Sequence, residues 1–267
     1  MKKKNIFLLI LALLIAIAAA GVWWYQNQQT TDPSLANVKK RGVLVVGSDI
    51  PYGVMEFFDQ NNKPVGIDVD IASEIASQLG VKLEFNDYDW DQVFPSVENS
   101  KIDLAISSIT ITPDRQKEML FSDSYFNGGQ VIVVNADNQE IKGVNDLANK
   151  KIAVQKDTTG YSEAQKYTAK NLIFTYLNFN NPANGDGIVN DIKNGKVEAI
   201  IVDYIQALSM IKDNPSLKII GVPFTKEEYG IATKIGNNSL MQKINSILQK
   251  MKSDGTLDKI TTKWTKI

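Results

Sequence analysis

Cysteine and histidine are both absent from the 267 residues. Their absence removes disulfides, thiolate and imidazole metal ligands, cysteine nucleophiles and every Ser-His-Asp triad. Carboxylate acid–base chemistry and oxygen-ligand metal sites stay open, so the enzyme classes are narrowed rather than closed. Excess charge of one sign is lacking too: 29 basic against 30 acidic residues leave a formal net charge of −1, with no run of five like charges. A phosphate-neutralising surface for nucleic acid is not expected. The GxxxxGK[ST] phosphate loop is also missing. What is present is 43% hydrophobic and 22% charged residues, the balance of a folded globular chain, in a length that exceeds one ordinary domain.

The first 30 residues are different material. Lys2, Lys3 and Lys4 precede an uncharged stretch of twenty residues, Ile6 to Tyr25, that closes on Trp23, Trp24 and Tyr25. Its length suits about 30 Å of hydrocarbon, the lysines predict a cytoplasmic N-terminus, and the aromatic trio suits the outer interface. An uncleaved membrane anchor is the expectation, with the rest of the chain extracytoplasmic. Ala18 to Ala20 offer a small-residue cleavage site, so a signal peptide is the alternative. A lipoprotein is excluded, because no cysteine exists to carry the lipid. Residues 31–37 read as a short polar tether. Residues 1–30 hold three lysines and no acid, so the remainder carries 26 basic and 30 acidic residues, a net −4.

From Gly42 onward short β-branched runs alternate with helical patterns, the signature of an α/β fold with largely parallel strands. Strands are expected at 43–46, 82–85 and 103–107, and helices at 68–79, at 91–99 and from Thr112-Pro113, where proline's missing N–H does no harm. After Gly128-Gly129 the alternation restarts, with strands at 130–134, 152–154, 173–176 and 198–202. Helices are expected near 144–149 and at 161–170 and 187–194. Segments at 217–221 and 229–233 lead into helices at 240–252 and 257–264. Two lobes follow, each a mainly parallel sheet flanked by helices: 38–127 with 226–267, and 128–225. Two crossovers, near 126–130 and 221–229, would form the hinge.

Polar residues collect where strands end, which in open α/β sheets is the ligand crevice. Ser107-Ser108-Ile109-Thr110-Ile111-Thr112-Pro113-Asp114-Arg115 runs from a strand end to a helix start, and arginine's planar fork can hold a carboxylate through two hydrogen bonds. Thr158 and Thr159 open a helix after strand 152–154, where free N–H groups accept an anion. Asp203 follows an apolar strand, a place for an ammonium ligand. Asp49 and Tyr52 follow the first strand and Trp90 the second, where a ring could stack on a ligand. Each segment has an ordinary reading as well: capping hydroxyls and acids, an exposed arginine, or rings packed in a core.

Taken together, Gly66-Ile67-Asp68-Val69-Asp70-Ile71, Ser108-Ile109-Thr110-Ile111-Thr112-Pro113 with Arg115, Phe121-Ser122-Asp123-Ser124-Tyr125 and Tyr229-Gly230-Ile231-Ala232 resemble the polar amino acid-binding family of ABC-importer solute receptors. The resemblance covers about Val38 to Ile267. It implies a two-lobed periplasmic-binding-protein-like fold and an extracytoplasmic protein, tethered or secreted, that captures a polar amino acid for an importer, without a catalytic residue, cofactor or metal. It also implies roles. Arg115, Thr110 and the backbone near Ser108, joined by Thr158 and Thr159, would hold the α-carboxylate; Asp203 would take the α-ammonium. Tyr52 and Trp90 would flank the side chain and Asp49 would meet its polar end, with glutamine or a basic amino acid favoured. Where many relatives have Gly-Thr-Thr this chain has Asp157-Thr158-Thr159. The reach of the nearby Gln155 is left open.

Two alternatives remain. The same fold serves lyases resembling cyclohexadienyl dehydratase, for which Asp49, Asp157 or Asp203 would supply acid–base chemistry. A sensor domain signalling through the membrane helix would need a separate signalling partner.

Overall fold

The computed structural model describes residues 13, 14, 16–21, 32–176 and 187–266. The anchor expected over 6–25 lies for the greater part outside the described residues. Among those described, no helix is long and apolar enough to cross a membrane.

The first part of the chain runs α1 (Ser34–Arg41), β1 (Val43–Ser48), the short strands β2 (Phe57–Phe58) and β3 (Pro64–Val65), α2 (Ile67–Leu79), β4 (Lys82–Asp87), α3 (Trp90–Glu98), β5 (Leu104–Ala105), α4 (Arg115–Glu118), β6 (Met119–Phe121) and β7 (Phe126–Gly128). The middle runs β8 (Gln130–Asn135), β9 (Ile152–Gln155), α5 (Thr159–Tyr167), β10 (Ile173–Tyr176), α6 (Ile188–Lys193), β11 (Ala199–Asp203), α7 (Tyr204–Asp213) and β12 (Leu217–Ile220). The chain closes with β13 (Glu227–Tyr229), β14 (Ala232–Lys234), α8 (Asn238–Ser253) and α9 (Thr256–Thr265).

Two five-stranded sheets build two lobes, in the orders β4-β1-β5-β14-β6 and β10-β9-β11-β8-β12. In each sheet four strands run one way, and the one opposed strand, β14 or β8, is the one entered directly after a crossover. The crossovers themselves pair as a two-stranded antiparallel ribbon, β7 with β13, in which Gly128 faces Glu227 and Phe126 faces Tyr229. A Cβ on Gly128 would sit 2.4 Å from the Tyr229 ring, so glycine is what lets the ribbon close over that ring.

The cores follow from the strand and helix periods. Val43–Ser48 buries Leu44 and Val46 on one face, and α2 buries Ile67, Ile71, Ala72, Ile75 and Leu79 against them. Gly80, left-handed at φ 73°, ends α2. Its start is just as specific: Gly66 has φ 134°, and a Cβ there would lie 2.3 Å from the Met55 carbonyl oxygen. Helix α8 lays Leu240, Met241, Ile244, Ile247, Leu248 and Met251 on the same core. Each such aliphatic side chain contributes roughly 1.5–3 kcal/mol by its burial. In the second lobe, Val131, Val133, Ile200 and Val202 face one helical layer and Ile132, Val134, Val154 and Ile201 the other. Burial on both faces explains why these strands read as unbroken apolar runs rather than alternating ones.

Four local expectations change. Ser34 to Asn37, read as tether, is the first turn of α1. Asp32 holds it by accepting from Ser34 N at 2.9 Å while also accepting from Ser239 N of α8 at 2.5 Å, so one carboxylate serves two helix starts. The strand expected at 103–107 is laddered only at Leu104–Ala105, because Ser108 turns to φ 48°. The helix expected from Thr112 begins at Arg115 and ends within four residues, as the chain extends into β6. Helix α7 was not expected, although Ile205, Ala207 and Met210 supply its buried side.

Candidate ligand cleft between the lobes

All nine residues singled out from the sequence, Asp49, Tyr52, Trp90, Ser108, Thr110, Arg115, Thr158, Thr159 and Asp203, line one cavity between the lobes, with Ser107 and Gln155 beside them. Its empty volume, part of it open to solvent, is about 320 Å3. Asp49 and Tyr52 follow β1, Trp90 opens α3 after β4, Ser108 and Thr110 follow β5 and Arg115 opens α4, while Thr158 and Thr159 lead into α5 after β9 and Asp203 ends β11. This is the crevice outside strand C-termini that parallel sheets create.

Asp203 is the most heavily engaged. It stands at the N-cap position of α7, yet its carboxylate does not cap the helix. Instead it accepts from the Tyr52 phenol across the cleft, from the Tyr229 phenol at 2.6 Å and from Gln130 Nε2 at 2.9 Å. Burial pushes its pKa up to about 7, and the nearby Glu227 carboxylate adds to that, while the two phenols and Arg115 pull the other way. A carboxylate so placed, buried and without an ion-pair partner among the described residues, is one that a bound cation would stabilise.

Asp49 marks the other end. It is 5% exposed, and Gln155 Nε2 donates to it from the opposite lobe at 2.8 Å. Burial raises its pKa to about 7 against that hydrogen bond, and the carboxylates of Asp87, Asp89 and Asp91 raise it further. Gln155 thus belongs to the cleft. Its signal in the sequence was its place as the last residue of a buried strand.

Arg115 holds its guanidinium against the Trp90 and Phe94 rings, 5.4 and 5.2 Å from their centroids. One Nη donates to the Thr110 carbonyl at 2.9 Å and the other to the Asp157 carbonyl at 3.4 Å. Trp90 Nε1 reaches that same carbonyl at 3.4 Å. Burial lowers the Arg115 pKa, whereas Glu227, Asp203 and Tyr52 support its charge. The contact with Asp157 is to the backbone: the residue adopts φ 58°, and its carboxylate points outward to Lys156 at 3.7 Å.

The hydroxyls are less available than the sequence suggests. Thr110 and Thr159 both donate to Glu227 Oε2, at 2.6 and 3.0 Å. Thr158 donates to the Gln155 carbonyl at 2.8 Å and accepts from Tyr161 N, an ordinary N-cap. Ser108 N–H is spent on Asp68 Oδ2 at 2.9 Å, while Ser108 Oγ is buried without a partner among the described residues. Glu227 is the residue sequence reading missed. It stands in Lys226-Glu227-Glu228, which looks like a solvated turn, and only the buried–exposed–buried alternation of β13 turns it inward.

Behind the cavity wall lies a second carboxyl pair. Glu56 Oε1 accepts from Ser107 Oγ at 2.9 Å, and Asp68 Oδ2 accepts from Ser108 N and from the Tyr125 phenol at 3.0 Å. The two carboxyls are fully buried and act on each other's charge, and Glu56 Oε2 and Asp68 Oδ1 have no hydrogen-bond partner among the described residues. Burial and the Asp68 charge push Glu56 well above its ordinary pKa, and burial takes Asp68 to about 7.

Among the described residues no group of three or more acidic side chains could hold a metal ion.

Residues 44–267 match the bacterial extracellular solute-binding proteins, family 3. The chain is 32% identical over 237 residues to the L-cystine-binding protein TcyJ of Escherichia coli strain K12, covering 87% of this chain and 86% of that protein. A mutant of the arginine-binding protein of T. maritima superposes with a TM-score of 0.79 at 37% identity, over 86% of this chain and 98% of that one. The ancestral amino acid-binding protein AncCDT-1, a precursor of cyclohexadienyl dehydratase, superposes with a TM-score of 0.78 at 35% identity, over 87% of this chain and 99% of that one. A match spanning both lobes and the residues of the cleft leaves one conclusion: the chain belongs to the bacterial extracellular solute-binding proteins of family 3.

Proposed function

We propose that this protein captures a cationic amino acid outside the cytoplasm and delivers it to an ABC importer, binding it in the cleft between residues 38–127 with 226–267 and residues 128–225. The observation that carries the reading is the charge balance of the cavity. Two acids, Asp49 and Asp203, line it with a single cation, Arg115. Arg115 suits the α-carboxylate, with the backbone N–H groups at the start of α5 as further donors. Asp203 suits the α-ammonium. Asp49, flanked by Asp87, Asp89 and Asp91, then suits a second cation at the end of the side chain, with Trp90 alongside.

A neutral amino acid would bring no countercharge to Asp49, which burial and the carboxylates of Asp87, Asp89 and Asp91 raise to about 7. Glutamine is therefore second to arginine or lysine. The N-terminal stretch fits this location as an anchor or as a signal peptide. Calorimetric titration of the purified protein, unfolded and refolded to strip carried ligand, tests the reading. Saturable binding of basic amino acids, lost in Arg115→Ala and Asp203→Ala, is the expected result; absence of binding to any common amino acid overturns it.

The likeness to AncCDT-1 keeps a lyase as the second reading. Its acids would be Asp49 and Asp203, since the Asp157 carboxylate points away from the cavity. Turnover of a ring acid by the purified protein would select it.

A further inference from the structure

Glu227 is 6% exposed, and among the described residues no lysine or arginine forms an ion pair with it. Three hydroxyls satisfy it, and each comes from a different part of the molecule. Thr110 of the first lobe and Thr159 of the second both donate to Oε2, at 2.6 and 3.0 Å. Thr225, in the second crossover, donates to Oε1 at 3.1 Å, and Thr225 Oγ1 in turn accepts from the backbone N–H of Gln130 in the first crossover at 2.7 Å. The carboxylate is carried on β13, so it is fixed to the hinge itself.

That geometry exists only with the lobes together. If the lobes part, Oε2 cannot keep both threonines, and an acceptor that was buried loses one of its hydroxyls. From this we infer that Glu227 is the latch of the cleft: a hinge carboxylate that holds the closed arrangement by gathering one hydroxyl from each lobe, acting on the ligand through closure and not by touching it. The inference rests on the reading of the cleft as an amino-acid site, but its central claim concerns closure alone.

A latch has a signature that a ligand contact lacks. Apparent affinity is the intrinsic affinity multiplied by the fraction of protein that is closed, so weakening the latch lowers affinity for every ligand by one common factor. A contact residue would instead change the ranking of ligands. Glu227→Gln replaces one acceptor oxygen with a donor and so cannot accept from all three hydroxyls; Glu227→Asp keeps the charge but shortens its reach. Either is expected to weaken each bound amino acid on the order of ten-fold, the size of a lost charge-assisted hydrogen bond, with the rank order unchanged and mainly through faster release.

The measurement pairs titration calorimetry with a distance across the cleft. Because the chain has no cysteine, Lys101→Cys and Lys142→Cys give one exposed label per lobe for resonance energy transfer or spin–spin measurement, with and without each Glu227 variant. The expected result is a longer distance in the variants without ligand and a uniform loss of affinity. An unchanged distance, or a loss confined to one ligand class, overturns the latch. If the parent protein binds no amino acid, the functional reading fails, while the ligand-free distances still decide the latch. Glu227→Asp covers the case in which Glu227→Gln fails to fold.

Discussion

Tyr52 and Asp203 sit on opposite lobes, and the phenol of the first donates a hydrogen bond to the carboxylate of the second. The bond joins the lobes at the carboxylate to which the sequence resemblance assigns the ligand ammonium.

Tyr52→Phe removes that donor while leaving the ring and the Tyr229 and Gln130 donors in place. A lost hydrogen bond to a charged group is worth about 1.5–3 kcal/mol. Affinity for a basic amino acid is expected to fall about 10- to 100-fold with little change in melting temperature, read by calorimetry and thermal unfolding.

Asp49, Asp68 and Asp203 are each raised to about 7. A carboxyl whose folded pKa exceeds its unfolded value near 3.9 keeps a proton that the unfolded chain has lost. Its stabilisation is therefore fully present below about pH 4 and disappears as pH rises through 7. The ligand-free protein is expected to melt at a higher temperature at pH 5 than at pH 8. A cationic ligand favours the ionised forms of Asp49 and Asp203, so affinity should rise over the same interval with release of protons. Titrations in buffers of different ionisation enthalpy count those protons; proton uptake would refute the assignment.

Glu56→Gln puts a permanent amide donor beside Asp68, and the amide oxygen still accepts from Ser107. This variant is expected to gain stability over the parent as pH rises from 5 to 8, because the parent's raised carboxyl keeps a proton that its unfolded chain has lost. Glu56→Ala leaves Asp68 and Ser107 with unmet partners and should cost about 2–4 kcal/mol. Urea unfolding at the two pH values separates the cases.

Asp157 departs from the glycine that many relatives carry, yet its contacts with Arg115 and Trp90 run through its carbonyl. Asp157→Asn is expected to change affinity less than two-fold, because asparagine also tolerates the left-handed backbone. Asp157→Val forces a β-branched residue into that conformation at about 1–3 kcal/mol and should displace the shared carbonyl, weakening binding. Side-by-side titration of the two variants checks both statements.

The alternation of strands and helices was legible because the central strands of the second sheet, β8, β9 and β11, are buried on both faces and read as continuous apolar runs. Asp49, Arg115 and Asp203 were legible because each lies at a strand end or helix start and matches a family pattern. Glu227 was not, since a buried acid held by hydroxyls has no local pattern; its partners lie 117 residues away at Thr110 and 68 away at Thr159. The Glu56–Asp68 pair was hidden for the same reason: Asp68 looks like a first-turn acid of α2, and only the fold brings Glu56 to it. Gln155 sat in view at the end of its strand, but reach across a cleft is a three-dimensional fact.

The nested course of the chain has a consequence for biosynthesis. The sheet of the second lobe uses only residues between Gln130 and Ile220, whereas the sheet of the first lobe needs β14 and its core needs α8. On a ribosome or emerging from a translocation pore, the inner lobe is complete while the outer one still waits for its last strand. A chain stopped after Tyr229 should therefore hold a protease-resistant fragment spanning the inner sheet and an outer portion open to digestion, so that quality control meets this protein half-finished from its N-terminal side.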